Sequence, residues 1–171
     1  KVNKMLKPAI LYKEELIKKY QNTWFDEDYK YYHSSYERTP NIESDTWNYI
    51  QFVSLDDNNE VIGYLRANIA RTNMSISSLG IINFSDDILT FGRDLHEFLE
   101  FLLDVKKFNK INFNVVVGNP IEKSYDLLIK KYNGRVVGFY EKDYLINNEF
   151  HDSKIYEITR ENYLESKKNK K

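Results

Sequence analysis

The stretch Ser75-Ile76-Ser77-Ser78-Leu79-Gly80-Ile81-Ile82-Asn83-Phe84 is rich in aliphatic and β-branched residues and reads as a strand. A second strand reads from Lys110-Ile111-Asn112-Phe113-Asn114-Val115-Val116-Val117. Between them Phe91, Leu95, Phe98, Leu99 and Leu102 recur at helical spacing and line one face, with Asp94, Glu97 and Glu100 on the others. A strand, a helix and a strand in this order imply a right-handed crossover. The two strands are then parallel within one sheet.

Upstream, Trp47-Asn48-Tyr49-Ile50-Gln51-Phe52-Val53 and Val61-Ile62-Gly63-Tyr64-Leu65-Arg66-Ala67-Asn68-Ile69 are β-formers separated by the polar turn Asp56-Asp57-Asn58-Asn59. With residues 75–84 they make an antiparallel meander. Downstream, Asn119-Pro120 reads as a helix start, the Asn capping and the Pro giving up a donor that no helix bond needs. That helix carries Tyr125, Leu128, Ile129 and Tyr132 on one face and stops at Asn133-Gly134. Two strands, over 135–140 and 154–158, close the pattern around a polar segment at 147–149. At the front, Pro8-Ala9-Ile10-Leu11-Tyr12 reads as a strand, and Leu16, Ile17 and Tyr20 mark an amphipathic helix. A second short helix is expected over 24–33 and a loop over 34–45. The fold class is α/β (α+β): a mixed sheet, antiparallel but for one parallel pair, flanked by helices. One domain is expected over 1–165 and a Lys-rich tail over 166–171.

Composition narrows the function. The 171 residues include 25 basic and 26 acidic side chains, so the chain has no global field to attract phosphate backbones or anionic lipid. A nucleic-acid-directed activity is disfavoured on that ground. Cysteine is absent, which excludes a disulfide framework and a thiol nucleophile and fits a reducing cytoplasm. His33, His96 and His151 are far apart and form no metal-binding motif, so no metal is expected. No apolar run approaches the roughly 18–20 residues a membrane span needs, and the chain is expected to be cytoplasmic. Its richness in Lys, Asn and Ile points to an AT-rich bacterial or phage genome.

The order of segments and three local sequences resemble the GCN5-related N-acetyltransferase (GNAT) superfamily over roughly residues 47–158. Val61-Ile62-Gly63-Tyr64 is similar to that family's third strand. Gly118-Asn119-Pro120 resembles the segment after its fifth strand, and Asn133-Gly134-Arg135-Val136-Val137-Gly138 the entry to its sixth. The resemblance implies strands four and five that splay apart, with acetyl-CoA (coenzyme A) inserting its pantetheine arm between them. It places the backbone of Ile82, Asn83 and Phe84 against the arm, and Asn119 near the cofactor. The pyrophosphate would rest at the next helix start, on Thr90, Phe91, Gly92, Arg93, Asp94 and Leu95. A helix N-terminus offers unpaired N–H groups and the positive end of the macrodipole to any such anion. The family signature is altered here: aligned on Gly92, its Gln/Arg place holds Leu89 and its last Gly/Ala place holds Asp94.

Acyl transfer to an amine needs a neutral amine, a donor for the developing oxyanion and a proton for the departing thiolate. The resemblance implies direct attack by a primary amine of a small molecule or protein, with Tyr125 as the acid and Tyr132 as the alternative. No residue stands out as a general base. Trp24, Phe25, Tyr29, Tyr31, Tyr32, Tyr36 and Trp47, set among Asp26, Glu27, Asp28, Glu37, Glu43 and Asp45, form an aromatic and acidic wall suited to a cationic amine. They also suit a solvated face with core aromatics. The alternative function is a catalytically silent member that binds CoA or a protein partner. The family also commonly forms homodimers.

Overall fold

The computed structural model describes residues 6–32 and 37–168. Seven strands form one sheet: β1 (Leu6–Pro8), β2 (Tyr49–Leu55), β3 (Val61–Ala70), β4 (Ser75–Asn83), β5 (Lys110–Val116), β6 (Arg135–Ile146) and β7 (Glu149–Thr159). Their order is β1-β2-β3-β4-β5-β7-β6. Four α-helices flank it: α1 (Lys13–Asn22), α2 (Ile88–Glu100), α3 (Glu122–Lys131) and α4 (Arg160–Lys168). All neighbouring strands are antiparallel except β4 and β5, which are parallel and pair only at Ile76 and Ile111. Beyond that pair the two strands diverge. The parallel pair is what the crossover at residues 75–117 anticipates, and the splay is what the family resemblance implies.

Two apolar layers cover the sheet. On one face Leu65, Ala67, Ile76, Phe113 and Val115 pack with Phe98 and Leu99 of α2, Leu102 of the π-helical turn that continues it, and Leu128 of α3. On the other, Val53, Leu55, Tyr64 and Ile82 pack with Ala9, Leu16 and Ile42 under α1. Alternation along each strand sends successive side chains to opposite faces. Ile81 therefore belongs to the α2 layer and Ile82 to the α1 layer.

The structure departs from the sequence reading in several places. The first strand is Leu6–Pro8, and Ala9–Tyr12 coil into a 3-10 turn that buries Ala9 and redirects the chain into α1. The helix expected over 24–33 is reduced to one 3-10 turn, Glu27–Tyr29. Phe25 there has φ 68°, outside the helical range, and the Asp26 side chain accepts from the Asp28 N–H, a bond that favours a turn. His33 and Tyr36 lie outside the described residues. Strand β6 runs to Ile146, well past the expected 140, because two bulges, one with Lys142 at φ 52°, absorb its irregular sequence. It returns through Asn147 and Asn148, both left-handed, as a tight hairpin. Residues 166–168, read as the start of a tail, form the last turn of α4, where Ser166 is buried and Lys167 reaches Asp104.

Among the described residues no helix is long and apolar enough to cross a membrane.

Candidate active site

The divergence of β4 from β5 opens a groove of about 1130 Å³ that passes from one face of the sheet to the other. On the α2 and α3 face its walls are Ile81, Phe91, Gly92, Leu95, Phe113, Tyr125 and Leu128. On the α1 face they include Tyr20, Tyr32, Glu37, Tyr64, Arg66 and Tyr144. Two chambers with different chemistry thus meet at the slot, one apolar and one aromatic and charged.

The slot is edged by backbone groups. Phe84 N–H donates to Ile62 O at 2.8 Å, so the amides of even-numbered β4 residues turn toward β3. By alternation Leu79, Ile81 and Asn83 turn theirs toward β5. Across the gap Val117 N–H donates to Asp152 O on the β7 side, which leaves Asn112, Asn114 and Val116 facing β4. The sequence reading assigned the slot to Ile82, Asn83 and Phe84. Only Asn83 has the right parity, because Ile82 and Phe84 spend their amides on β3. The alternation counted from that strand pairing is the signal that would have found Leu79 and Ile81.

Two glycines shape the apolar chamber. A Cβ on Gly63 would lie 2.2 Å from the Phe91 ring, so the bare backbone of β3 is what lets α2 seat Phe91 beside the slot. Gly92 has nothing within 4 Å of where its Cβ would be, and it leaves the groove open along α2.

Ile82, Asn83, Phe91, Gly92, Leu95, Asn119 and Tyr125 border the groove. Phe84, Thr90, Arg93 and Asp94 do not. Thr90 to Leu95 also lie inside α2 and not ahead of it, since the helix begins at Ile88 with Asp87 as its cap. Asp94, read as a surface residue, is fully buried: its carboxylate accepts from Ser54 Oγ at 2.6 Å and fastens α2 to β2. Burial raises its pKa against the lowering effect of that bond and of Arg93. Asn119 Oδ1 accepts from Ile121 N–H at 3.1 Å and organises the turn before α3, whose regular helix starts at Glu122.

Tyr125 and Tyr132, the two acid candidates, sit in contrasting surroundings. Tyr125 packs edge-on against Phe113, ring centroids 5.4 Å apart, and its hydroxyl makes no hydrogen bond among the described residues. Burial pushes its pKa far above the ordinary phenol value, so it stays protonated. Tyr132 is buried, with its hydroxyl 2.9 Å from His96 Nδ1, outside the groove lining. His96 borders the groove and is engaged by Tyr132 and Lys131.

The acceptor wall divides. Tyr29, Tyr31, Tyr32, Glu27, Asp28 and Glu37 border the groove. Trp24 and Phe25 line a separate shallow hollow, and Trp47 lies under Arg71 at 4.5 Å. Within the groove Arg66 bonds Glu37 at 2.8 Å and lies 4.0 Å over the Tyr49 ring, while Lys30 pairs with Glu27 at 3.2 Å. Asp28 forms no ion pair among the described residues.

No family model matches the chain, and no curated protein matches it. Solved structures do. A spermidine N-acetyltransferase from Vibrio cholerae in complex with CoA and spermine is 19% identical, with TM-score 0.68, covering 95% of this chain and 99% of that one. A spermidine/spermine N-acetyltransferase from the same organism, in complex with manganese ions, is 21% identical with TM-score 0.63, covering 80% and 87%. A chimera of the Vibrio cholerae enzyme is 24% identical with TM-score 0.61, covering 70% and 74%. With the parallel, splayed β4 and β5 at its centre, the chain has the fold of the GCN5-related N-acetyltransferases.

Proposed function

We propose that the protein is an N-acyltransferase that moves an acyl group from a thioester on a pantetheine arm to a primary amine. Acetyl-CoA is the donor that the resemblance implies. The observation that carries this reading is the slot itself: unpaired backbone groups of β4 and β5 open on one side to an apolar chamber and on the other to an aromatic, acidic one.

The arm half of coenzyme A fits. Leu79, Ile81 and Asn83 would hold the arm's amides with their gap-facing N–H and C=O groups, and Phe91, Leu95 and Phe113 would cover its methylenes. When bound, it supplies the electrophilic acyl carbon. The N–H of Ile81 or Leu79 donates to the carbonyl oxygen as charge collects there. The amine nitrogen, entering past Tyr32 and Tyr64, forms the new C–N bond as the C–S bond breaks. Tyr125 gives its proton to the leaving sulfur, and the amine's proton leaves to water. The nucleotide half fits poorly, because the start of α2 carries Asp86 and Asp87 where an anion would rest.

For the acceptor we infer a polyamine-like cation. The structural neighbours named for spermidine support this class, as do Glu27, Asp28 and Glu37 among the Tyr rings of the acceptor chamber. A panel of linear polyamines and monoamines, read by mass spectrometry for a gain of one acyl group, tests it. Acylation of the polyamines alone supports the class, and acylation of neutral amines alone contradicts it. A silent, partner-binding role is the second reading, favoured by the acidic start of α2. A homodimer is also proposed: β6 is an edge strand with Val137, Phe139 and Tyr140 exposed. Sedimentation of the wild type against Phe139→Glu tests it.

A further inference from the structure

This inference rests on the acyltransferase reading and concerns the donor alone. An anion seated at a helix start needs uncommitted N–H groups and no like charge beside them. The start of α2 has neither. Ile88 N–H donates to Asp86 O at 2.9 Å and Phe91 N–H to Asp87 O at 3.2 Å. Thr90 N–H donates to the Asp87 carboxylate at 3.0 Å. The Thr90 amide and hydroxyl, then Arg93 and the Leu89 amide, hold that carboxyl below its usual range, so it is charged and already occupies the place of the anion. Asp86 adds a second carboxylate one residue earlier.

Among the described residues the cations of this region have other partners, although the charge of Arg93 still reaches Asp87. Arg93, the arginine of α2, turns to Asp94 at 3.4 Å. Lys131 borders the groove but stands beside His96, a residue about 12 Å along the helix from Ile88 by its rise per residue. The slot, in contrast, offers a neutral arm what it needs: gap-facing peptide groups on Leu79, Ile81 and Asn83, and apolar walls from Phe91, Leu95 and Phe113.

We propose that the site holds its donor by the pantetheine arm alone and disfavours a diphosphate, so that acyl-pantetheine thioesters lacking the nucleotide, free or borne on a carrier protein, are its preferred donors over acyl-CoA.

The test compares pantetheine with desulfo-CoA by calorimetry, and acetyl-pantetheine, acetyl-CoA and an acetylated acyl carrier protein by turnover. Each is measured on the wild type and on an Asp86→Asn/Asp87→Ser variant, in which Ser keeps the helix cap without its charge. The wild type is expected to bind desulfo-CoA no more tightly than pantetheine. The variant should tighten desulfo-CoA about tenfold and leave pantetheine unchanged, as expected for removing charge at a helix start. Faster turnover of the carrier-borne thioester assigns the source to a protein, and slower turnover assigns it to the free thioester. The proposal is overturned if the wild type binds desulfo-CoA about 100-fold more tightly than pantetheine, since that gain must come from the nucleotide. It is equally overturned if the variant weakens desulfo-CoA. Binding of neither ligand at millimolar concentration contradicts the acyltransferase reading itself and is distinct from both results.

Discussion

Tyr125 on α3 and Asp94 on α2 show how surroundings separate chemistry from architecture. A phenol held protonated at the edge of a groove, with its hydroxyl uncommitted, is equipped to donate to a leaving thiolate. Tyr125→Phe should lower kcat about 100-fold with little change in KM, as steady-state kinetics would show. Tyr132→Phe should leave kcat close to wild type. Because its pKa is raised, Tyr125 should produce no fall in rate where an ordinary tyrosine ionises. Asp94 belongs to the fabric of the protein. Ser54→Ala would leave its buried carboxylate short of a donor and should cost about 1–3 kcal/mol in urea denaturation. In the sequence Tyr125 is one of a helical stripe whose role as acid is implied by the resemblance, and Asp94 lies off the apolar face at the place implied for the pyrophosphate. Burial is set by how α2 lies on β2, and no local pattern encodes that.

The strands and helices were largely legible where their period was clean. The meander, α2, β5 and α3 follow from alternation and helical spacing, because each buries one face against one layer. The reading failed where side chains bonding to nearby backbone groups or left-handed residues decide the path: Phe25 and Asp26 ending a helix before it forms, Lys142 bulging β6, and Asn147 and Asn148 turning it back. The slot was legible only in part, since which β4 amides face β5 depends on a pairing register that the sequence does not state. Two predictions belong here. Gly63→Ala drives a methyl into the Phe91 ring and should cost about 1–3 kcal/mol, measured by thermal or urea unfolding. Gly92 lies in the interior of α2 with open space beside it, so Gly92→Glu should gain about 0.5–1 kcal/mol of stability. The same change places a charged side chain along the donor groove and should weaken donor binding about tenfold or more. A variant that becomes more stable and less able to bind would mark Gly92 as a site residue. Parallel loss of both would not.

Across the whole molecule, the sheet is both scaffold and partition. Its continuous half, β1 to β4, carries the α1 layer and the acceptor chamber, while β5, β7 and β6 carry α3. The two halves are joined as a parallel pair only at Ile76 and Ile111. The β5 half is fastened by a charged cluster in which Lys110 and Arg135 each meet Glu157 at 2.8 Å. Those bonds hold the Glu157 carboxyl below its unfolded value. Its contribution to stability is therefore present above the ordinary Glu pKa of about 4.5 and is lost as pH falls through the lower folded value. Glu157→Gln should flatten the acid limb of a pH–stability curve. In the proposed reaction donor and acceptor would reach the slot from opposite faces of this sheet, each through a chamber of its own polarity.

The proposed activity of the slot between β4 and β5 is the transfer of acyl groups to amines. The most direct measurement incubates the folded protein with acetyl-pantetheine or acetyl-CoA and spermidine, and follows free thiol and acylated amine together by mass spectrometry. The account predicts one acylated amine for each thiol released, in a reaction that slows about 100-fold in Tyr125→Phe. Release of thiol without acylated amine, or no change in either donor while the protein remains folded, would contradict it.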